Sequence, residues 1–553
     1  MRACLVKFRD PLLSAILVQG ALLGVGGCQQ GQSAVTTTST LNVTLKASAL
    51  SVPEGSTITL NWNAPHAAGC TAAGSWSGMR AASGSESIGP MLTPAVFSLR
   101  CFSAEATADA AVRVVTRSGT PRSFFPLRAS QNQRHLVDAQ GVPFLIHGDS
   151  AWSLIAELKR EQVIRYLDDR RARGFNSLLV NLLEHKFATR APRNAYGDAP
   201  FLKAGDFSKP NPAYFSHAEW VLQQAADRGF LVLLVPAYLG FNGGDEGWHQ
   251  ELNEAPPGSL SGFGNYLGQQ FQSLPNIIWA YGGDYNPPNR RLVQDIAAGI
   301  RAFDTHSLGT AHAAPETSAR EIWGNESWLN VGTVYTYEHV VGKSTIEYQR
   351  APTMPFFLLE SSYEAEQTHD LNLVRAHAYQ AMLSGAAGQI FGNNPIWHFS
   401  GPGLNPPDAT WEASLNSPGN QSMQHLLALL SSHDWWRLEP DLNGQLLKDA
   451  TGSEGERAVA AMANDRSFAI IYLPAGRPIK VDLKRLACRM CEASWYNPST
   501  GAYGPTIPLS AADAGVMEFR PPDGNSKGAT DWVLVLNAEA TPQAPTKPPG
   551  ITE

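Results

Sequence analysis

The sequence predicts a multidomain protein in which a (β/α)8 barrel is flanked by two β-sandwiches. Three observations carry that prediction. The 553-residue length calls for two to four domains. Between Phe124 and Pro440, short apolar runs alternate with amphipathic helical segments, the pattern of successive parallel βαβ units. On either side of that region, period-two alternation between Gly-, Pro- and Ser-rich turns replaces the helical pattern.

The first 40 residues carry an address rather than a fold. Arg2, Lys7 and Arg9 precede an uncharged apolar stretch, Pro11 to Gly27, that is too short to span a bilayer as a helix. It ends in Val25-Gly26-Gly27-Cys28, which resembles the bacterial lipobox, so residues 1–27 are expected to be a lipoprotein signal peptide and Cys28 the lipidated residue. Gln29 follows, without the Asp that holds such lipoproteins in the inner membrane. An extracytoplasmic, lipid-anchored protein of the outer membrane is the expected location, with 28–40 as a polar tether and the membrane touched only through the anchor.

Residues 41–117 read as a small β-sandwich that resembles bacterial immunoglobulin-like modules. Thr57–Trp62 and Ala95–Cys101 alternate apolar and polar residues, which puts Trp62 in the core. With Cys4 in the signal and Cys28 lipidated, four cysteines remain for an oxidising compartment. Cys70 and Cys101 are expected to bridge strands of this module. Cys488 and Cys491 form a C-x-x-C without a second pair or a βαβ context, which favours a short structural disulfide over a redox or zinc site.

The barrel is expected over residues 123–440. Its eight strand candidates are Pro143–Asp149, Asn176–Leu183, Phe230–Pro236, Asn276–Gly282, Ser307–Ala313, Leu329–Tyr335, Phe356–Glu360 and Gly388–Asn393. The clearest helices, Glu161–Arg173, Ser216–Arg228 and Leu371–Ser384, each run into a glycine (Gly174, Gly229, Gly385) placed to cap a helix C-terminus. Eight such units describe a barrel better than a doubly wound sheet, because no dinucleotide fingerprint is present. Alternation returns at Ser467–Tyr472 and Trp532–Leu536, giving a C-terminal β-sandwich over 441–537 packed on the barrel. The Pro-rich residues 538–553 lack the apolar content to fold.

Barrel chemistry sits at the C-terminal ends of the strands. Strand four ends in Tyr281-Gly282-Gly283-Asp284 and strand seven in Phe357-Leu358-Leu359-Glu360. These strands lie nearly opposite in an eight-strand barrel, so the two carboxylates face each other across the cleft. Such a pair is what glycosidic bond cleavage requires: one carboxylic acid protonates the leaving oxygen, and one carboxylate attacks the anomeric carbon or activates water. Asp284 is accordingly the expected acid/base and Glu360 the expected nucleophile, with retention of configuration favoured. Asp149, Asn181, His312, Tyr335 and Glu364 are the polar candidates for holding the sugar, and Trp152 and Trp397 the stacking candidates. Trp279, inside an apolar strand, is expected in the core, and His217 and His377 on their helices are read as ordinary surface or core residues.

A family resemblance rests on several short runs. These are His147-Gly148-Asp149-Ser150-Ala151-Trp152, Arg173-Gly174-Phe175-Asn176, Asn211-Pro212-Ala213-Tyr214-Phe215, Ile277-Ile278-Trp279 with Gly282-Gly283-Asp284, Glu360 with Tyr363-Glu364, and Gly392-Asn393-Asn394-Pro395-Ile396-Trp397. Together they resemble the apiosidase-like glycoside hydrolases, family 140, long known as domain of unknown function 4038. Trp495-Tyr496-Asn497-Pro498 with Gly501 is similar to the β-domain that follows that barrel and carries a collagen-binding label. The resemblance covers roughly Phe124 to Leu536. It implies hydrolysis of a complex plant or microbial polysaccharide, with the family's catalytic Asp and Glu falling on Asp284 and Glu360; characterised members act on apiose linkages in pectic side chains. Leu182-Leu183-Glu184-His185-Lys186 and Tyr335-Thr336-Tyr337 depart from the family's pattern, and these loops shape the subsites.

Composition and motifs exclude much else. The net charge is −7 and no Lys/Arg run occurs, which speaks against nucleic acid. There is no H-E-x-x-H, G-x-S-x-G, phosphate loop or dinucleotide motif, so no metal and no cofactor is expected. The competing reading is a non-catalytic cell-surface lipoprotein that binds carbohydrate or matrix through its β-domains. A protease, hinted at only by the collagen label, has no supporting residues.

Overall fold

A computed structural model describes residues 41–538, apart from 54–55, 90, 92–94, 105, 118–123, 367–369, 449–451, 488–489, 511–514 and 526–528. The signal peptide, Cys28, the tether, Cys488 and the Pro-rich tail therefore lie outside the described residues. No helix among those described is long and apolar enough to cross a membrane.

The N-terminal region is all strand. Thr44–Ala47, Ile58–Asn63 and Ser83–Ile88 form one antiparallel sheet; Ser51–Pro53, Thr107–Arg117, Ala95–Phe102, Gly69–Gly74 and Gly78–Arg80 form a second. Burial along Ala95–Phe102 alternates residue by residue, and the inward faces of both sheets share one core around Leu60, Trp62, Trp76, Phe97 and Leu99. Cys70 and Cys101 stand opposite each other on neighbouring strands and are disulfide-bonded, as the sequence suggested.

Eight parallel strands then form the barrel wall: β1 (Ile146–Ser150), β2 (Ser177–Asn181), β3 (Leu231–Val235), β4 (Ile277–Gly282), β5 (Leu308–His312), β6 (Gly332–Tyr335), β7 (Phe356–Glu360) and β8 (Gly388–Phe391). Hydrogen bonding runs in the order β5-β4-β3-β2-β1-β8-β7-β6. The β5–β6 seam closes differently. Asn330 and Val331 donate their backbone N–H groups to Gly309, and the Thr310 and Thr333 hydroxyls donate to Val331 and Ala311 carbonyls across the gap. Leu329–Val331, expected to begin strand six, serve this seam and not a ladder. Glycine is required at 309 because a Cβ there would stand 2.2 Å from the Trp328 carbonyl oxygen. A two-residue strand, Thr317–Ser318, pairs antiparallel with β6 and makes the sheet nine-stranded.

Period two sorts the strand side chains. Ile146, Leu179, Leu233, Ile278, Phe357 and Ile390 fill the barrel interior, while Leu178, Val180, Trp279 and Tyr281 pack outward on the helices. The helices that matter for the site are α1 (Arg160–Ala172), α2 (Pro212–Asp227), α3 (Leu371–Leu383) and α4 (Pro418–Ser431). α1, α2 and α3 are followed by Gly174, Gly229 and Gly385 in the left-handed region, as expected of helix ends. α2 starts four residues before the expected Ser216. Asn211 accepts the Ala213 N–H and Pro212 takes the first helical position, a cap and a pre-set φ that apolar spacing does not report.

The C-terminal region is strand-rich. One sheet combines Leu438–Pro440, Val459–Ala463, Phe468–Leu473, Trp532–Ala538, Met490–Asn497, Ala502–Tyr503 and Ile507–Ser510, and a two-stranded sheet, Ile479–Asp482 with Val516–Phe519, covers its far face. The near face lies on the barrel. Tyr472 stacks on Tyr379 of α3 with centroids 4.6 Å apart, and buried Arg375 of α3 forks onto Asp531 at 2.7 and 2.8 Å. Cys491 is disulfide-bonded.

Candidate active site

The C-terminal mouth of the barrel gathers Asp284, His312 and Glu360. At the end of β4, Gly282, Gly283 and Asp284 take positive φ in succession (96°, 131° and 48°). Glycine accepts this freely and Asp is among the few residues that tolerate it. A Cβ on Gly283 would meet the Tyr238 ring at 2.3 Å, so glycine there lets Tyr238 lie against the turn. The Tyr238 hydroxyl donates to Asp284 Oδ2 at 2.5 Å.

Glu360 reaches the cleft by a different device. Phe357 and Leu359 both point inward, so strict alternation would turn Glu360 out. The β6–β7 register slips there: Val334 faces Leu358, yet Tyr335 faces Glu360, leaving Leu359 as an extra residue. That bulge re-aims Glu360 into the mouth.

His312 joins the two. Its Nδ1 accepts the backbone N–H of Asp284 at 2.9 Å, and its Nε2 lies 2.7 Å from Glu360 Oε2. With Nδ1 occupied as an acceptor, Nε2 carries the ring proton and donates it to Glu360. Burial works against charging His312, but the bond to Glu360 and the charge of Asp284 outweigh it and raise its ionisation above the ordinary imidazole range. Burial, then the nearby Asp284, push the Glu360 carboxyl above the usual range; hydrogen bonds from His312 and Tyr363 oppose them. Asp284 Oδ1 is buried without a hydrogen-bond partner among the described residues.

Aromatic rings enclose these groups. The Trp152 indole donates to the Tyr363 hydroxyl at 2.9 Å and sets its edge against His312, centroids 5.4 Å apart. Tyr335 packs on His312 from the other side at 5.0 Å and shares a hydrogen bond with Tyr337. Burial first, then the carboxylates, holds the phenols of Tyr238 and Tyr335 well above their usual ionisation, so they stay protonated.

Ligand atoms of Asp284, His312 and Glu360 lie within 4.8 Å of one another, close enough to ask whether a cation belongs there. Both His312 nitrogens are already engaged, which leaves two carboxylates and no free imidazole. That donor set suits proton transfer and nucleophilic attack better than metal binding.

The remaining sequence candidates divide. Asn181 faces inward at the end of β2, with Nδ2 toward Glu184 and Oδ1 buried without a partner among the described residues. Trp152, Tyr335 and Trp397 stand at the mouth, though each is nearly buried. His312 is wholly buried against the carboxylates, bonded to the Asp284 N–H and to Glu360. Asp149 does not reach the site. Period two turns it outward from β1, where it accepts from Tyr166 and pairs with Arg170 of α1, while Ser150 faces in and meets Tyr363. Burial pushes the Asp149 carboxyl up to about 6 despite that arginine. Glu364 is also a structural residue: it accepts from Asn393, Ser417 and the Gly419 N–H at the start of α4, which uses both its oxygens. Trp279 is core, its indole donating to Asp304.

Sequence reasoning missed Tyr238 and Glu366. Tyr238 is three residues past β3 and its hydroxyl carries no sequence signal; only the Gly283 contact selects it. Glu366 lies beyond Glu364 on the loop after β7, outside any periodic segment.

The family model described as "Apiosidase-like, catalytic domain" matches residues 130–437, and "Putative collagen-binding domain of a collagenase" matches residues 440–537. A solved structure named "Glycoside hydrolase" is 24% identical, covers 75% of this chain and 98% of its own, and superposes with a TM-score of 0.64. A glycoside hydrolase family 5 structure from Bacteroides vulgatus ATCC 8482 gives 24% identity, 75% and 94% coverage and the same TM-score. At that identity the two structures share the fold. No curated protein matches the chain.

Proposed function

The chain belongs to the apiosidase-like glycoside hydrolases, and from that membership we propose that it cleaves a glycosidic bond of a complex plant or microbial polysaccharide with retention, Asp284 acting as acid/base and Glu360 as nucleophile. One observation carries the residue assignment: an oxygen of each carboxyl group lies within 4.8 Å of the other, across the barrel mouth and over one histidine. A retaining pair stands about 5–5.5 Å apart, whereas an inverting pair needs about 6.5–9.5 Å to admit water. The division of labour follows from the hydrogen bonds. Glu360 accepts from His312 and Tyr363, bonds that favour its ionised, attacking form against the larger upward push of burial and Asp284. Asp284 keeps Oδ1 unpartnered, the oxygen free to hand a proton to the leaving group. In the first step Asp284 protonates the glycosidic oxygen as Glu360 bonds to the anomeric carbon. In the second, Asp284 takes a proton from water, which displaces Glu360 and restores both groups.

The apiosyl linkage of a pectic side chain is the first substrate to try. The test is product release from pectic, arabinan and microbial glycans by the protein from Gln29 onward, with proton NMR following the anomer first formed. Asp284→Ala and Glu360→Ala, both folded, are each expected to lose at least about 10²-fold in kcat. Activity surviving both would overturn the assignment, and the opposite anomer would overturn retention.

We also propose the domain layout 41–117, 123–440 and 441–537, an immunoglobulin-like identity for the first of these, and anchorage of Cys28 in the outer membrane. Labelled fatty acid incorporated by the wild type and not by Cys28→Ala would support the anchor.

A further inference from the structure

Outside the mouth, the loops after β1, β2 and β8 surround a cavity of about 220 Å³ that shares no lining residue with the carboxyl pair. Its lining is apolar where Leu158 and Phe399 are buried, and polar where Glu157, Lys159, Gln162 and Arg190 stand. Hydrogen bonds hold the cavity in shape. Glu157 accepts the Thr189 N–H at 2.6 Å and the Thr189 hydroxyl at 2.8 Å, which ties the loop after β2 to the short helix Leu154–Glu157. Ser153 donates to the Phe187 carbonyl at 2.8 Å, and the Tyr196 hydroxyl accepts the Arg160 N–H at 3.0 Å. Phe399 is wedged against Tyr166 and Trp411, with centroids 4.9 and 5.6 Å away.

Two cations without a counter-charge give this cavity its chemistry. Among the described residues, neither the Lys159 ammonium nor the Arg190 guanidinium is paired with a carboxylate. Glu157 shares the lining yet pairs with neither, its oxygens being engaged by Thr189. Gln162 turns its amide oxygen to the Lys159 N–H at 3.0 Å, which leaves its Nε2 hydrogens as donors. A ligand that answers these groups needs a carboxylate for Lys159, Arg190 and Gln162, hydroxyls for the second lone pairs of the Glu157 oxygens, and an apolar face for Phe399. A hexuronic acid carries all three on one ring. A neutral sugar lacks the first, and phosphate lacks the last. The mouth is a poor rival for such a ligand, because Asp284 and Glu360 already place two carboxyl groups there within 4.8 Å of each other.

We propose that this cavity is a second carbohydrate site, which binds a uronic acid unit of a polysaccharide and takes no part in bond cleavage. It holds the polymer on the protein from outside the mouth, and it stands or falls independently of which residues cleave.

Saturation-transfer NMR on the protein from Gln29 onward, at pH 7 and low salt, tests this with D-galacturonate and D-glucuronate against D-galactose and D-glucose, and with inorganic phosphate as competitor. At least one uronate is expected to bind saturably, and at least about fivefold more tightly than its neutral counterpart. Lys159→Ala and Arg190→Ala, both changes of exposed side chains, should each weaken that binding at least about threefold, and the double variant should abolish it. Asp284→Ala and Glu360→Ala should leave it unchanged. Salt raised to about 0.5 M should weaken it, since the charges become screened. No uronate bound, a neutral sugar bound equally well, or binding kept in the double variant would overturn the proposal. Uronate binding lost in Asp284→Ala or Glu360→Ala would place it at the mouth and overturn the proposal too, and phosphate binding as tightly as the uronate would reduce the cavity to an adventitious anion site only. Hydrolysis of the glycan panel bears on the carboxyl pair alone: its absence beside intact uronate binding would sink the cleavage reading and leave this site standing.

Discussion

Replacing His312 by alanine removes two bonds at once, the donor 2.7 Å from Glu360 Oε2 and the acceptor 2.9 Å from the Asp284 N–H. The first is a bond to a charged group in a buried site, worth about 1.5–3 kcal/mol. It stabilises only the ionised form of Glu360. Glu360 should then become harder to ionise, on top of the upward push it already has from burial and Asp284. The sign is fixed, because losing a hydrogen bond to a carboxylate always favours the protonated acid. With Glu360 in the proposed role, the acidic limb of kcat/KM reports its ionisation and should move to higher pH. Below the wild-type limb the variant should be about 10–100-fold slower, and the gap should narrow as pH rises. Melting curves at each pH confirm folding. An unmoved limb with a uniform loss of rate would mean that His312 is only packing, and the bracing role assigned to it would be wrong.

Three further outcomes follow from the same geometry. Tyr238→Phe removes the hydroxyl on Asp284 Oδ2 and should lower kcat about tenfold or more with little change in KM, measured on the substrate the glycan panel identifies. Asp531→Ala strands buried Arg375 and also strips Tyr472 and Asn525 of an acceptor, so denaturant unfolding should show a loss of about 3–5 kcal/mol. Prolonged dialysis against EDTA should leave the rate unchanged, since both His312 nitrogens are engaged within the protein; a loss restored by one divalent ion would refute that.

The barrel was legible because parallel strands buried on both faces read as continuous apolar runs, and the helices between them end at glycines that must take positive φ. The carboxyl pair was legible for the same reason: each follows an apolar run, and Gly-Gly-Asp is a sequence able to hold three positive φ values in a row. Asp149 and Glu364 show where such reading fails. Being at a strand end is not enough, since the phase of the strand decides which side a residue faces, and in β1 it turns Asp149 toward Arg170. Glu360 is the inverse case. Its phase is wrong and a bulge corrects it, and nothing in Phe356-Phe357-Leu358-Leu359-Glu360 announces the bulge. Tyr238 and Glu366 belong to irregular loops, where no period exists to read.

Glu364 nonetheless bears on the site, at one remove. Its carboxylate pulls together Asn393 just past β8, Ser417 before α4, and the Gly419 N–H in the first turn of α4. α3, which joins β7 to β8, is in turn held against the C-terminal sheet by Arg375 and Tyr379. The strand that delivers Glu360 is thus fixed at its end by a chain of buried polar contacts that runs through the helix layer to the neighbouring region. A bulge that re-aims a carboxylate costs backbone hydrogen bonding and persists only where the surroundings determine it. The C-terminal region is therefore the outer support of β7 and β8. Asp531→Ala should loosen that support and reduce kcat even in the fraction of molecules that remains folded.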